Sequence, residues 1–100
     1  MSGRLRHLIV AYDVETLTAE GRRRLRKLAQ ACCAHGVRVQ KSLFECALEV
    51  PETVRFTARL IRIVDTEADS LRIYDLGATG PSVQIYGKDA PLGPRKPWII

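Results

Sequence analysis

The sequence holds only three cysteines, an odd number, and two of them, Cys32 and Cys33, are adjacent. With no CxxC pair and no Cys/His spacing suited to zinc, a disulfide framework or a structural zinc site is not expected. Free thiols fit a reducing cytoplasm, the expected compartment. Cys32 and Cys46 fall on apolar faces and read as small buried hydrophobes rather than reactive thiols. No apolar stretch approaches the ~20 residues of a bilayer-spanning helix, so no membrane partner is expected. Basic residues precede an apolar run in MSGRLRHLIVAYD, but that run is about five residues, below the ~7–15 of a signal-peptide core, and Asp13 ends it. A Walker loop, GxGxxG, a nucleophile elbow and HExxH are all missing. Acids are also short: 11 Asp and Glu stand against 16 Lys and Arg, a formal charge of +5 that favours an anionic partner.

What is present is one domain's worth of globular chain. One hundred residues bury a single modest core and leave no room for a second domain, a repeat array or a large cofactor cradle. Apolar residues at 46% and charged residues at 27% set it apart from disordered chains.

Leu8 to Tyr12 (LIVAY) is continuous and rich in strand formers, and reads as a strand buried on both faces. Val14 to Thr18 forms a loop, with Thr18 as N-cap and Glu20 in the first turn of a helix. Leu25, Leu28, Ala29 and Cys32 give that helix one apolar stripe, and Gly36 ends it. Residues 37–50 alternate, but the phase slips between Val37/Val39 and Phe44/Cys46/Leu48/Val50. The chain must therefore bend, bulge or turn within Gln40–Leu43, and two tightly joined strands are expected. Pro51 opens a second helix with an apolar stripe of Val54, Ala58, Ile61 and Val64, widened by Leu60. A polar break at 65–70 precedes two further strands, Leu71–Leu76 and Val83–Tyr86, separated by the turn-forming GATGPS.

The order predicts an α+β, ferredoxin-like βαββαβ domain over 1–89 with an additional C-terminal strand, both helices on one face of an antiparallel sheet. Residues 90–100 form a proline-rich C-terminal tail, whose Trp98, Ile99 and Ile100 are expected to dock on a surface or a partner. The first strand is apolar on both sides while the helices cover one. A two-fold partner, sheet facing sheet, is the economical cover, and the last strand has the option of pairing with the partner's sheet edge.

Three constellations carry possible chemistry. Asp13, preceded by Tyr12, ends the first strand near the sheet rim. It reads either as a strand-terminating turn residue or as half of an acidic pair built across the dimer axis. Two Asp13 carboxylates plus water and phosphate oxygens make an adequate Mg²⁺ site, able to activate a water for phosphodiester hydrolysis. Secondly, Arg22, Arg23, Arg24, Arg26 and Lys27 crowd the first helix, and Arg22, Arg23, Arg26 and Lys27 share a broad face away from the apolar stripe. Five cations in six positions exceed what solvation needs and suit a phosphate backbone. Thirdly, Arg38, Lys41, Ser42 and Phe44 flank the suspected bend. If the bend lies near the Asp13 end of the neighbouring strand, cations and a hydroxyl meet the carboxylate there; otherwise Phe44 is plain core and Arg38 an exposed strand residue. His7 and His35 are not expected to act as metal ligands or bases.

LIVAYDV, GRRRLRKLAQACCAHGVRVQKSLFEC and DSLRIYDLG together resemble the CRISPR-associated protein 2 family over roughly residues 7–87. The resemblance implies a ferredoxin-like homodimer and a metal-dependent endonuclease acting on single-stranded RNA or double-stranded DNA. It also implies a bridging role between integrase dimers during spacer acquisition, with DNA laid across the basic surface. It places the metal-site aspartate at Asp13 after Tyr12, the family's Arg, Ser and Phe at Arg38, Ser42 and Phe44, and basic helix residues loosely at Arg22 and Arg23. The proline-rich tail matches no family-wide pattern.

The leading expectation is thus a Mg²⁺-dependent endonuclease with one ion shared by the two Asp13 of a homodimer. Arg22, Arg23, Arg26, Lys27 and Lys41 are the expected nucleic-acid contacts, and the CRISPR-associated integrase the expected protein partner. The alternative is a scaffold of the same complex that binds DNA or RNA without turnover. A ferredoxin-like module binding a small molecule is a third reading. It is disfavoured by the cationic helix and by the missing glycine-rich loop.

Overall fold

In a computed structural model the chain is described over residues 5–77 and 82–90. The GATGPS turn lies largely outside those residues, and the expected proline-rich tail beyond Ala90 wholly so. The elements are β1 (Leu5–Asp13), α1 (Ala19–His35), β2 (Gly36–Gln40), β3 (Leu43–Glu49), α2 (Val50–Ile63), β4 (Ser70–Asp75) and β5 (Ser82–Gly87). One antiparallel sheet has the order β2-β3-β1-β4-β5. The central β1 pairs with both β3 and β4, the split arrangement of a ferredoxin-like domain. The additional strand β5 pairs with β4 of its own chain, Leu71 opposite Tyr86 and Ile73 opposite Gln84, and so forms an edge of its own sheet.

Parity along β1 sorts the two faces. Leu8, Val10 and Tyr12 are buried under the helices together with Phe44, Cys46, Leu48, Leu71 and Ile73. Ile9 and Ala11 point the other way and are half-buried, so within one chain β1 is fully covered on one face only. Opposite them in register lie Glu45, Leu43, Tyr74 and Arg72, and beyond β4 come Ile85 and Val83. This open face mixes apolar and polar side chains.

The phase slip between β2 and β3 has two sources. A bulge shifts the register between Arg38 and Gln40, and Lys41–Ser42 turn the chain into β3. Being at the sheet edge, β2 leaves Val37 and Val39 exposed, not buried as their alternation suggests.

Thr18 caps α1: its Oγ1 accepts from the Gly21 N–H at 3.0 Å. The core side of α1 is Leu28, Ala31 and Cys32, with Leu25 packed beside them. Pro51 does open α2, and of the expected stripe Leu60 and Val64 are buried and Ile61 packs beside the core, but Val54 is 62% exposed and Phe56, outside that stripe, is buried. Phe56 and Leu60 are one turn apart and both bulky, so they set the helix rotation, and Val64 closes the core beyond the helix end. No helix among the described residues is long and apolar enough to cross a membrane.

Candidate nucleic-acid cleft

Asp13 is the last residue of β1 and stays exposed at the sheet rim. The chain on either side of it is held firmly. Before it, the Tyr12 N–H donates to the Ser42 carbonyl at 3.1 Å, which ties the β1 end to the β2–β3 turn. After it, the Glu15 N–H donates to Asp69 Oδ1 at 3.1 Å. The Glu15 carboxylate accepts from the Thr18 N–H and hydroxyl at 2.6 and 2.9 Å. Those Thr18 bonds hold the Glu15 carboxyl below its ordinary value.

The bend falls where the conditional reading required it. A cleft of about 600 Å³ at this rim is lined by Tyr12, Asp13, Arg26, Arg38, Lys41 and Ser42, with apolar walls from α1. Three cations, a hydroxyl and a carboxylate from four separate elements thus share one opening. Phe44 is not part of that lining; it is fully buried in the core. It meets the cleft from beneath, stacking on Tyr12 with ring centroids 6.1 Å apart and carrying the Arg38 guanidinium 5.1 Å above its centroid. The Tyr12 hydroxyl reaches the Lys41 carbonyl at 3.5 Å. Burial pushes the Tyr12 phenol up against the opposing pull of Arg38, so it stays protonated at neutral pH.

The five α1 cations separate into four positions. Arg26 turns toward the Asp13 cleft, while Arg23 and Lys27 line a groove on the α2 side. Arg22 is exposed, its guanidinium donating to the carbonyl of Thr16, a residue of the cleft wall, at 3.0 Å. Arg24 leaves the set: it donates twice to Asp69, at 2.7 and 3.2 Å, and serves structure. Asp69 is fully buried and also accepts from the Asp65 N–H at 2.8 Å. It was hidden within an apparently polar break, and nothing in its local spacing marks it.

Burial pushes the Cys32 thiol up to about 12 and raises that of Cys46, so both are neutral packing groups. His35 packs on Phe56 at 4.9 Å. Among the described residues no group of three or more His, Cys, Asp and Glu is arranged to hold a metal ion.

The fold and cleft define a ferredoxin-like α+β domain with a cationic opening around one rim carboxylate. Residues 6–80 match the family described as CRISPR associated protein Cas2. The chain is 42% identical over 93 residues to the CRISPR-associated endoribonuclease Cas2 1 of Moorella thermoacetica, covering 86% of this chain and 97% of that protein. It is 44% identical over 70 residues to the CRISPR-associated endonuclease Cas2 of Halalkalibacterium halodurans, covering 70% and 73%. Among solved structures it resembles Streptococcus pyogenes Cas2, with a TM-score of 0.65 and 46% identity over 71% of this chain and 86% of that one. A hypothetical protein from Thermus thermophilus gives a TM-score of 0.62 at 33% identity, covering 94% and 99%. The chain therefore belongs to the CRISPR-associated Cas2 family.

Proposed function

We propose that this protein is a CRISPR-associated endonuclease that hydrolyses phosphodiester bonds in RNA or DNA as a symmetric homodimer. The observation that carries the reading is the shared cleft of Asp13, Arg26, Arg38, Lys41 and Ser42. Nuclease names on similar proteins support it.

Among the described residues one chain brings a single carboxylate to the cleft, too few protein donors for a resident cation. Mg²⁺ accepts few carboxylates and keeps several waters, so the donor set fits once a second Asp13 joins the first. The open sheet face provides for that. Asp13 shares β1 parity with Ile9 and Ala11, so a second copy covering those residues also meets the carboxylates at the rim. The two Asp13 would hold Mg²⁺, which when bound supplies an activated water and charge stabilisation at a phosphoryl oxygen.

The chain's own side chains do the rest. Arg26, Arg38 and Lys41 draw the phosphodiester into the cleft and neutralise its charge. The Ser42 hydroxyl hydrogen-bonds near the scissile group. Phe44 acts as a positioning residue, fixing Tyr12 and Arg38 from below. Asp13→Asn tests this directly. Cleavage is expected to be lost while duplex binding and assembly stay nearly intact; undiminished cleavage in a contaminant-free preparation contradicts the proposal.

The solvent-facing cations of α1 favour a second reading. In it the homodimer is a scaffold that bridges the CRISPR-associated integrase in spacer acquisition, binding DNA or RNA without turnover. That reading expects integrase assembly and nucleic-acid binding with no cleavage in the unmodified protein under any divalent metal.

A further inference from the structure

A second basic feature lies outside the Asp13 cleft. Along the seam between α1 and α2 runs a groove whose upper part, about 320 Å³, is lined by Arg23, Lys27, Arg59 and Arg62. Arg24 also borders it but is committed to Asp69. Among the described residues Glu20 is the single carboxylate lining this part, and Glu52 lines the adjoining hollow. Arg59 and Arg62 also line a larger hollow of about 510 Å³ that continues toward His35, so the two openings share a cationic wall. Arg23, Lys27, Arg59 and Arg62 are all exposed, and none forms an ion pair with another described residue.

The sequence pattern shows the same excess. Arg55, Arg59 and Arg62 recur at i, i+4 and i+7 on α2, and Glu52 is the only acid within that helix. Like charges at this spacing destabilise a helix unless something neutralises them. Arg23 and Lys27 face them from α1, itself one turn apart. Two facing helices therefore each present a one-turn cation pair to the same seam. That is a track for a string of phosphates rather than for a single anion.

We propose that the α1–α2 groove is a second nucleic-acid contact, in which Arg23, Lys27, Arg59 and Arg62 bind the phosphodiester backbone away from the Asp13 cleft. It rests on the nucleic-acid reading above and extends it. With Arg26 at the cleft, Arg22 bonded to its wall residue Thr16, and Arg23 and Lys27 at the groove, α1 is a cationic bridge between the two sites. The track reads charge, not bases, so it serves RNA and DNA alike.

The test is Arg59→Gln/Arg62→Gln, both exposed and outside the cleft, made in the non-cleaving Asp13→Asn background. Affinity for a labelled single-stranded RNA and for a DNA duplex is measured against salt. Losing two phosphate contacts should reduce the log–log salt slope by about 1.4 for the single strand or about 1.8 for the duplex. A reduced slope in both arms supports the track as a backbone contact; a reduced slope in one arm alone keeps the contact but overturns the claim that it serves RNA and DNA alike. In the Asp13-intact protein the same pair should raise KM and leave kcat unchanged. Unchanged slopes in both arms, with the parent protein binding normally, overturn the groove and spare the cleft. No binding by the parent protein overturns both.

Discussion

Asp69 and Arg24 carry the heaviest single-residue load outside the core. The carboxylate is fully buried and joins three segments: α1 through Arg24, the β1–α1 loop through the Glu15 N–H, and its own loop through the Asp65 N–H. Asp69→Ala leaves Arg24 and two N–H donors without their acceptor. Urea unfolding should show a loss of about 3–5 kcal/mol, the range for breaking one half of a buried pair. A loss below about 1 kcal/mol, the surface-pair range, contradicts this role. Burial raises the Asp69 carboxyl, but Arg24 and the N–H donors outweigh it and set the net value below the ordinary 3.8. A carboxyl depressed in the folded state stabilises the fold above its unfolded pKa and loses that contribution as pH falls through the folded value. The unmodified protein should therefore lose more stability than Asp69→Asn on acidification below about pH 4. Parallel urea midpoints against pH would contradict it. At the cleft, Phe44→Ala should cost about 3–5 kcal/mol by leaving a cavity. It should also lower kcat more than binding, because Arg38 and Tyr12 lose their support. Equal effects on kcat and KM in the still-folded fraction would remove Phe44 from the site.

At the scale of elements, local chemistry was legible where local chemistry decides. LIVAY marks β1, Thr18 caps α1, Pro51 opens α2, and the phase slip locates the β2–β3 turn. It failed where a distant partner decides. The α2 stripe was rotated because Phe56, absent from the Val54/Ala58/Ile61 pattern, is the larger group and claims the core. Arg24 already falls outside the face shared by Arg22, Arg23, Arg26 and Lys27, but its partner Asp69, 45 residues away, leaves no local sign in the sequence. The meeting of Asp13 with Arg38, Lys41 and Ser42 was legible only as a condition on where the bend lies, since no residue spacing fixes that register. The solvent-facing cations of α1 give an element-scale prediction. Arg22/Arg23/Arg26→Ala should weaken duplex binding about uniformly across sequences and reduce the salt slope by about 2.7. An unchanged slope would mean that α1 does not face the nucleic acid.

At the scale of the whole molecule the decisive fact is asymmetry of cover. Helices shield one face of the sheet, while Ile9, Ala11, Leu43, Val83 and Ile85 lie on the other beside polar neighbours. Among the described residues no element covers that face. The proposed dimer hides it and brings two Asp13 toward one axis, so the same event stabilises the fold and completes the site. A single mixing experiment tests this most directly. Wild-type and Asp13→Asn subunits are combined in equal amounts, allowed to exchange fully, and assayed for Mg²⁺-dependent cleavage. If both carboxylates of a dimer are needed, only wild-type pairs work, and the rate per total subunit falls to about one quarter of the wild-type value. A rate near one half, with each protomer acting alone, would contradict the shared site.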